Sequence, residues 1–319
     1  MDSGFRRNDV AGTNAMIVTD PAAFLAAYSP ERFPVRAAAT ARAAFLVAPA
    51  GAALAAESAS DNRYMDMGQS FDLSRALMQH AELARRLGED VPVVSFAGSA
   101  ECPDGMFPNN VFGTAPGRFI VGRMRHAVRR REAERDDVRA FFRDTLGYRV
   151  VDLSHASFVA ELTGSLAIDR ARGIGYCGLS ERCDLAGARA MHDAFGLAMT
   201  FCFELANGEY HTNVVLALLA SRMALLAPSG FRDPAVPAAI VRAFGNNAVQ
   251  LDSGQKNAFS GNAITLAPDR VWLSARGAAA LEPAQRTAIE RAGFALGDVE
   301  LGEIEKAGGS LRCCVAEIF

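Results

Sequence analysis

The sequence predicts an α/β fold with a repeat of about fifty residues, and three observations carry that reading. Short apolar runs of strand length alternate with amphipathic runs of helix length. Small polar clusters close the apolar runs at nearly constant intervals. Half of the residues are hydrophobic and 22% are charged, the balance of a chain that buries a large core.

In chain order, the opening MDSGFRRNDVAGTNA is polar and reads poorly as structure. Residues 1–40 are expected to be an N-terminal extension, partly disordered or helical, with Met16 as an alternative start of translation. Residues 41–319 are expected to form a single domain. Strands are expected at AAFLVA (43–48), VPVVSF (91–96), RFIVG (118–122), GIGYCGL (173–179), MTFCFE (199–204), VVLALLA (214–220), NAITLA (262–267) and VWLSA (271–275). Helices are expected at 71–88, 132–146, 184–196, 233–244 and 283–292. Asp184 and Asp233 stand where helix N-caps belong, and Pro283 suits a first turn.

The polar clusters fall at Asn62, Asn110, Glu161, His211, Asn262 and Cys313, in steps of 48, 51, 50, 51 and 51 residues. Near-equal steps fit a closed ring of five βαβ-like units in which the first and last marks share one unit. In a ring, equivalent positions converge on the axis, so these side chains would line a common pit. Turn chemistry alone also places Asn, Ser and Thr at strand ends. The weight of the pattern lies in what stands at the marks: one carboxylate, one imidazole and one thiol.

The 33 basic and 36 acidic residues leave a formal charge of -3, which argues against nucleic acid as a partner. The basic run from Arg123 to Arg135 is interrupted by acids and reads as a solvated face. Six scattered cysteines without CxxC spacing fit neither a zinc ribbon nor a disulfide scaffold, and point to a reducing cytoplasm. No apolar run reaches the roughly twenty residues of a membrane span, and the start lacks the apolar core of a secretory signal. GIG (173–175) and GG (308–309) make neither a dinucleotide fingerprint nor a P-loop. No metal or organic cofactor is expected, and a homo-oligomer is compatible with the sequence without being required by it.

A cysteine attacks as its thiolate, which a neighbouring imidazolium or backbone nest favours. Cys313 follows Gly308-Gly309-Ser310, where the backbone can approach a ligand closely. His211 could pair with the thiolate and serve as general acid and base, and Glu161 could orient the imidazole or contact substrate nitrogens. Each residue also has an ordinary structural reading. Cys177, Cys183 and Cys202 read as small buried hydrophobes, Cys314 as facing away from Cys313, and His80, His126, His155 and His192 as structural.

Six stretches, DNRYM (61–65), MFPNNVFGT (106–114), ELTGSLAIDR (161–170), YHTNVV (210–215), AFSGNAITL (258–266) and GGSLRCCVAEIF (308–319), resemble the arginine-deiminase-related branch of the guanidino-group-modifying superfamily. The likeness is greatest to its citrulline-utilisation hydrolases and spans roughly residue 43 to the C-terminus. It implies the five-bladed α/β propeller called the pentein fold, with a nucleophile at Cys313, a catalytic histidine at His211 and an acidic partner at Glu161. The chain departs from arginine deiminases where Asn110 and Asn213 replace guanidinium-binding aspartates, in FPNN for FxRD and HTN for HLD. An asparagine offers both a donor and an acceptor, which suits a neutral ureido group, whereas a guanidinium is charged and only donates.

The expected activity is therefore hydrolysis of the ureido group of citrulline, to ornithine, carbon dioxide and ammonia. Asn110 and Asn213 would hold the head group, with Asn109, Asn62, Asn262 and Arg312 as further substrate-binding candidates. One alternative is a deiminase, dihydrolase or amidinotransferase acting on arginine or a derivative. Another is a non-catalytic amino-acid-binding protein. Arg63, Arg118 and Arg312 are candidates for a substrate carboxylate, and Asp61 or Asp104 for an amine.

Overall fold

The computed structural model describes residues 16–319; the frayed start expected over 1–15 lies outside the described residues. Near the N-terminus, β1 (Met16–Val18) leads to the helix Pro21–Ala27, and β2 (Ala43–Val47) and β3 (Val93–Phe96) flank the helix Leu73–Leu87. Four similar units follow: β4 (Phe112–Ala115), β5 (Arg118–Val121) and β6 (Arg149–Asp152); β7 (Leu166–Asp169), β8 (Ile174–Leu179) and β9 (Met199–Glu204); β10 (Leu216–Leu219), β11 (Met223–Leu226) and β12 (Ala248–Gln250); β13 (Ile264–Ala267), β14 (Arg270–Ser274) and β15 (Ala295–Val299). The last strand, β16 (Ala316–Ile318), returns to pair with β2.

Each of the five small sheets repeats one plan. A first strand pairs antiparallel with a second, and a helical crossover brings a third in parallel. The sheet β16-β2-β3 joins the C-terminal strand to the N-terminal half, so one unit is shared between the chain's two ends. First strands of successive sheets touch: β16 meets β4, β7 meets β10, and β10 meets β13.

Local chemistry explains the elements. In Leu73–Leu87 the buried Ala76, His80, Leu83 and Leu87 recur on one stripe, and the Asp72 side chain accepts the Arg75 N–H at 3.1 Å. Asp184 caps Leu185–Phe195 through Gly187 N–H, and Gly196 closes that helix at φ +67°. Asp233 does not cap its helix, which begins after Pro234, but its carboxylate accepts Ala235 N–H at 2.8 Å. The helix expected at 132–146 is broken into short 3₁₀, α and π turns.

In the 1–40 segment, β1 adds in parallel to the edge of β9. Phe24 from the following helix is fully buried and stacks on Phe201, with ring centroids 4.5 Å apart. No helix among the described residues is long and apolar enough to cross a membrane.

Candidate active site

The first strand of each later unit is entered through a tight turn, and those turns carry the polar marks. Asn110 ends the 3₁₀ turn Pro108–Asn110 before β4. Glu161 and His211 immediately precede the one-turn helices Leu162–Ser165 and Thr212–Val215, which lead into β7 and β10. Cys313 lies in the 3₁₀ turn Leu311–Cys314 before β16. Cys314 is fully buried in the apolar core beside Leu46 and Ile304.

Two glycines bring the thiol to its place. Gly308 has φ +76°, and a Cβ there would meet Asn62 Nδ2 at 2.3 Å. A Cβ on Gly309 would meet the Phe107 ring at 2.7 Å. The chain can therefore pass only as bare backbone between these side chains. Asn262 Nδ2 donates to Cys313 Sγ at 3.3 Å and to Asn213 O at 2.8 Å, while its Oδ1 accepts Arg312 N–H at 2.9 Å. Asn213 Nδ2 lies 3.7 Å from the same sulfur. Burial pushes the thiol above its ordinary pKa. The Ser310 backbone, the Asn262 amide and the Arg312 charge pull it partly back.

His211 Nε2 pairs with Glu161 Oε2 at 2.8 Å, both residues fully buried. Burial raises the Glu161 carboxyl, but the Arg182 guanidinium and the His211 hydrogen bond outweigh it and hold the group well below the carboxylate range. Burial lowers the His211 pKa, against the pull of Glu161. An ionised Glu161 beside a neutral His211 assigns the imidazole proton to Nε2 and leaves Nδ1 a bare acceptor. Asn110 Oδ1 is also buried without a partner among the described residues. A Cβ on Gly164 would lie 2.6 Å from that oxygen and 2.9 Å from His211 Nδ1, so both acceptors pack closely against the bare Gly164 backbone.

The cavity at Cys313 is lined by Ser58, Asn62, Asp104, Asn110, Arg129 and Arg182, with Met65, Phe107 and Tyr210 as apolar walls. Its free volume is about 20 Å³, room for one water. An amino-acid side chain fits only when the walls part.

Arg182 reaches in from the loop after β8, 2% exposed; its guanidinium contacts Asp61, Glu161 Oε2 at 3.2 Å and Ser58 O at 3.1 Å. His126 Nε2 lies 3.1 Å from Asp61 and helps hold it. Arg129 forms a two-point pair with Glu132, both bonds 2.8 Å, and donates to Phe107 O. Asp104 accepts Ser58 Oγ–H at 2.6 Å, and burial raises its pKa.

Of the residues singled out in the sequence, Cys313, Asn110 and Asn62 line this cavity, and Glu161 and His211 are paired beside it. Asn62 is occupied by Gly308 O and Tyr64 N–H. Asn213 and Asn262 hold the sulfur rather than the cavity wall. Asn109 is buried with both amide atoms unpaired among the described residues, and does not line the cavity.

Several expectations are corrected. Arg312 turns away, to Glu317 at 2.9 Å and Val315 O at 2.8 Å. Arg63 is half exposed against Glu209, and Arg118 donates to Phe195 O. No hydrogen bond joins thiol and imidazole among the described residues, because each is held by other groups. The run 123–135 is not uniformly solvated: Arg129 and Glu132 are buried together. The guanidinia of Arg182 and Arg129 are what sequence reasoning missed. An acid three residues after Arg129, at helical spacing, was the available signal for that pair.

A thiol and two ion-paired arginines lining one cavity, a carboxylate-bound imidazole beside it, five small αβ sheets and the family match together define the chain as a guanidino-group-modifying enzyme of the pentein superfamily. Within it, the chain belongs to the N,N dimethylarginine dimethylhydrolase family, eukaryotic, whose profile matches residues 48–319. Its members hydrolyse carbon–nitrogen bonds other than peptide bonds.

Among solved structures, the substrate-bound N-terminal domain of ArgZ, an arginine dihydrolase from the ornithine–ammonia cycle in cyanobacteria, is similar at TM-score 0.75 and 18% identity, covering 86% of this chain and 97% of that one. AgrE in complex with ornithine and NAD+ gives 0.75 and 18%, with 87% and 39% covered. A dimethylarginine dimethylaminohydrolase adduct with S-methyl-L-thiocitrulline gives 0.67 and 21%, with 87% and 99% covered. These likenesses establish the shared fold. No curated protein matches the chain.

Proposed function

We propose that the protein hydrolyses the guanidino group of arginine or an N-methylated arginine through a covalent Cys313 intermediate. The observation that carries this is the pair of buried bare acceptors, Asn110 Oδ1 and His211 Nδ1, both against Gly164, with Asn110 lining the cavity that holds Cys313. A guanidinium presents only donors and satisfies both. The expected ureido specificity rested on two amides at the head group, and Asn213 is engaged with the sulfur instead. The family match and the arginine-processing relatives favour the same guanidino reading over citrulline. They also favour an enzyme over a silent binding protein.

Arg129 and Arg182 suit the substrate carboxylate, and Asp104 its α-ammonium group. A bound guanidinium beside the sulfur offsets the burial that raises the thiol pKa, so substrate itself favours the thiolate. The thiolate attacks the guanidino carbon and forms the S–C bond. The terminal C–N bond then breaks, and the departing amine takes the proton that the thiol gave to His211 Nδ1 on becoming the thiolate. Water gives a proton to His211 and adds to the amidino carbon, the C–S bond breaks, a ureido amino acid leaves, and the imidazolium returns its proton to the sulfur. Glu161 stabilises the imidazolium formed in between.

The ring of five sheets is read as a five-bladed propeller, supported by the contacts between successive first strands and by the return of β16 to β2. Residues 41–319 are read as one catalytic domain for the same reason. The unbridged state of all six cysteines accords with a reducing cytoplasm.

The test is a substrate panel of arginine, dimethylarginine and citrulline, with ammonia, dimethylamine and ureido product as readouts. Amine release from a guanidino substrate is expected. Turnover of citrulline with none of the guanidino substrates would overturn the reading.

A further inference from the structure

A second cavity, of about 480 Å³, shares no lining residue with the one at Cys313. Five arginines line it, Arg36, Arg42, Arg118, Arg170 and Arg172, and no acidic side chain does among the described residues. Its floor is apolar, made chiefly by Ile168, Phe195 and Phe319.

Not all of this charge is compensated locally. Arg172 has its own carboxylate, Asp169, at 3.0 Å. Arg36, Arg42 and Arg118 have no carboxylate partner among the described residues. Arg42 meets the Tyr148 hydroxyl, and Arg118 Nη2 donates to Phe195 O at 3.1 Å. Arg170 is the telling member. Its side chain is 11% exposed, it lies 4.2 Å from the Phe319 ring centroid and 5.2 Å from that of Phe195, and Nη1 donates to Thr114 O. Its only carboxylate among the described residues, Glu317, is 3.7 Å away and is held more closely by Arg312 at 2.9 Å.

A buried guanidinium with a shared, distant counter-charge is costly unless something else supplies negative charge. Burial lowers the Arg170 pKa to about 10, in keeping with that deficit. Surface arginines on a convex face would be solvated and need no ligand. These converge on a concavity, where low-dielectric walls concentrate the positive potential. Forked guanidinia match the oxygens of a carboxylate or phosphate, and the aromatic floor suits a flat apolar body behind them.

We propose that this cavity is a binding site for a small organic anion, a carboxylate or phosphate carried on a flat apolar group. Arg118 and Arg42 grip the anion from the rim, Arg170 compensates it from the floor, and Phe319 and Phe195 take the apolar part. The site stands independently of the substrate reading, since it uses none of the residues at Cys313.

The experiment is calorimetric titration of the full chain with phenyl phosphate, benzoate, inorganic phosphate and neutral benzyl alcohol at fixed salt. Saturable binding of phenyl phosphate or benzoate is expected, with inorganic phosphate weaker and benzyl alcohol silent. The comparison of the first two decides between phosphate and carboxylate. In the double variant Arg42→Gln/Arg118→Gln, both rim positions, affinity should fall about 10-fold or more. Arg170→Gln should abolish binding if it folds, and the rim variant keeps the test open if it does not. Cys313→Ala should bind the anion normally, with saturating arginine present or absent. Absence of binding, binding indifferent to the rim substitutions, or binding displaced by arginine would each overturn the proposal.

Discussion

At the scale of single residues, the site is organised by what is left unpaired. Asn110 Oδ1 and His211 Nδ1 have no donor among the described residues, while burial raises the pKa of the thiol. Cys313→Ala should lower kcat by at least about 10³-fold with the fold retained, measured by amine release and circular dichroism. Gly164→Ala should drive a methyl group against both acceptors, cost about 10²-fold in kcat/KM and lower stability by about 1–3 kcal/mol in urea unfolding. Unaltered activity in that variant would remove the guanidinium from this space. Cys313, His211, Glu161 and Asn110 were legible because motif and period coincide at each. Arg182 and Arg129 were not, because their meaning depends on burial against Asp61, Glu161 and Glu132, and a charge looks alike in a sequence whether paired inside or solvated outside.

Among the elements, the repeated device is a helical turn feeding a first strand. It explains which expectations succeeded. Second and third strands such as 118–121, 174–179 and 199–204 are uninterrupted apolar runs and were visible. VVLALLA (214–220) looked like one strand, yet a helical turn through Val215 consumes its first residues and β10 starts at Leu216. Three-residue pairings such as β1 and β12 carry no period of their own. The segment bearing Ser58, Asp61, Asn62 and Met65 roofs the cavity and is fastened by Asp61 to Arg182 and by Asn62 to Gly308 O. Asp61→Asn removes the charge from the first fastening. It should raise KM for arginine about 10-fold while changing kcat less, if the proposed contact of Arg182 is with the substrate carboxylate rather than with reacting atoms. A loss confined to kcat would contradict that assignment.

Over the whole molecule, stability draws on residues far from the site. Phe24, from the segment expected to be an appendage, is fully buried on Phe201. Phe24→Ala should cost about 3–5 kcal/mol in denaturant unfolding, whereas an appendage would leave stability unchanged. His80 is buried in Leu73–Leu87 with its ring donating to Val47 O, and burial lowers its pKa from 6.5 to about 4. The folded state thus prefers the neutral ring, while the unfolded chain takes up a proton first as pH falls. Its stabilising contribution is complete above pH 6.5 and disappears toward pH 4, roughly 3 kcal/mol across that window. Relative to wild type, His80→Gln should lose less stability between those values in urea titrations at each pH. The sharing of one sheet between β16 and β2 was legible from spacing, since six marks for five units already required a shared one. The size of the cavities was not, because packing volume leaves no trace in a one-dimensional pattern.

That shared unit has a consequence for biogenesis. β16 completes the sheet begun by β2, and the nucleophile sits in the turn just ahead of it. During translation the remaining sheets can form around an unfinished gap, but the thiol has no seat until residue 318 has left the ribosome. A chain terminated before β16 should therefore be chemically silent, its sulfur without a seat.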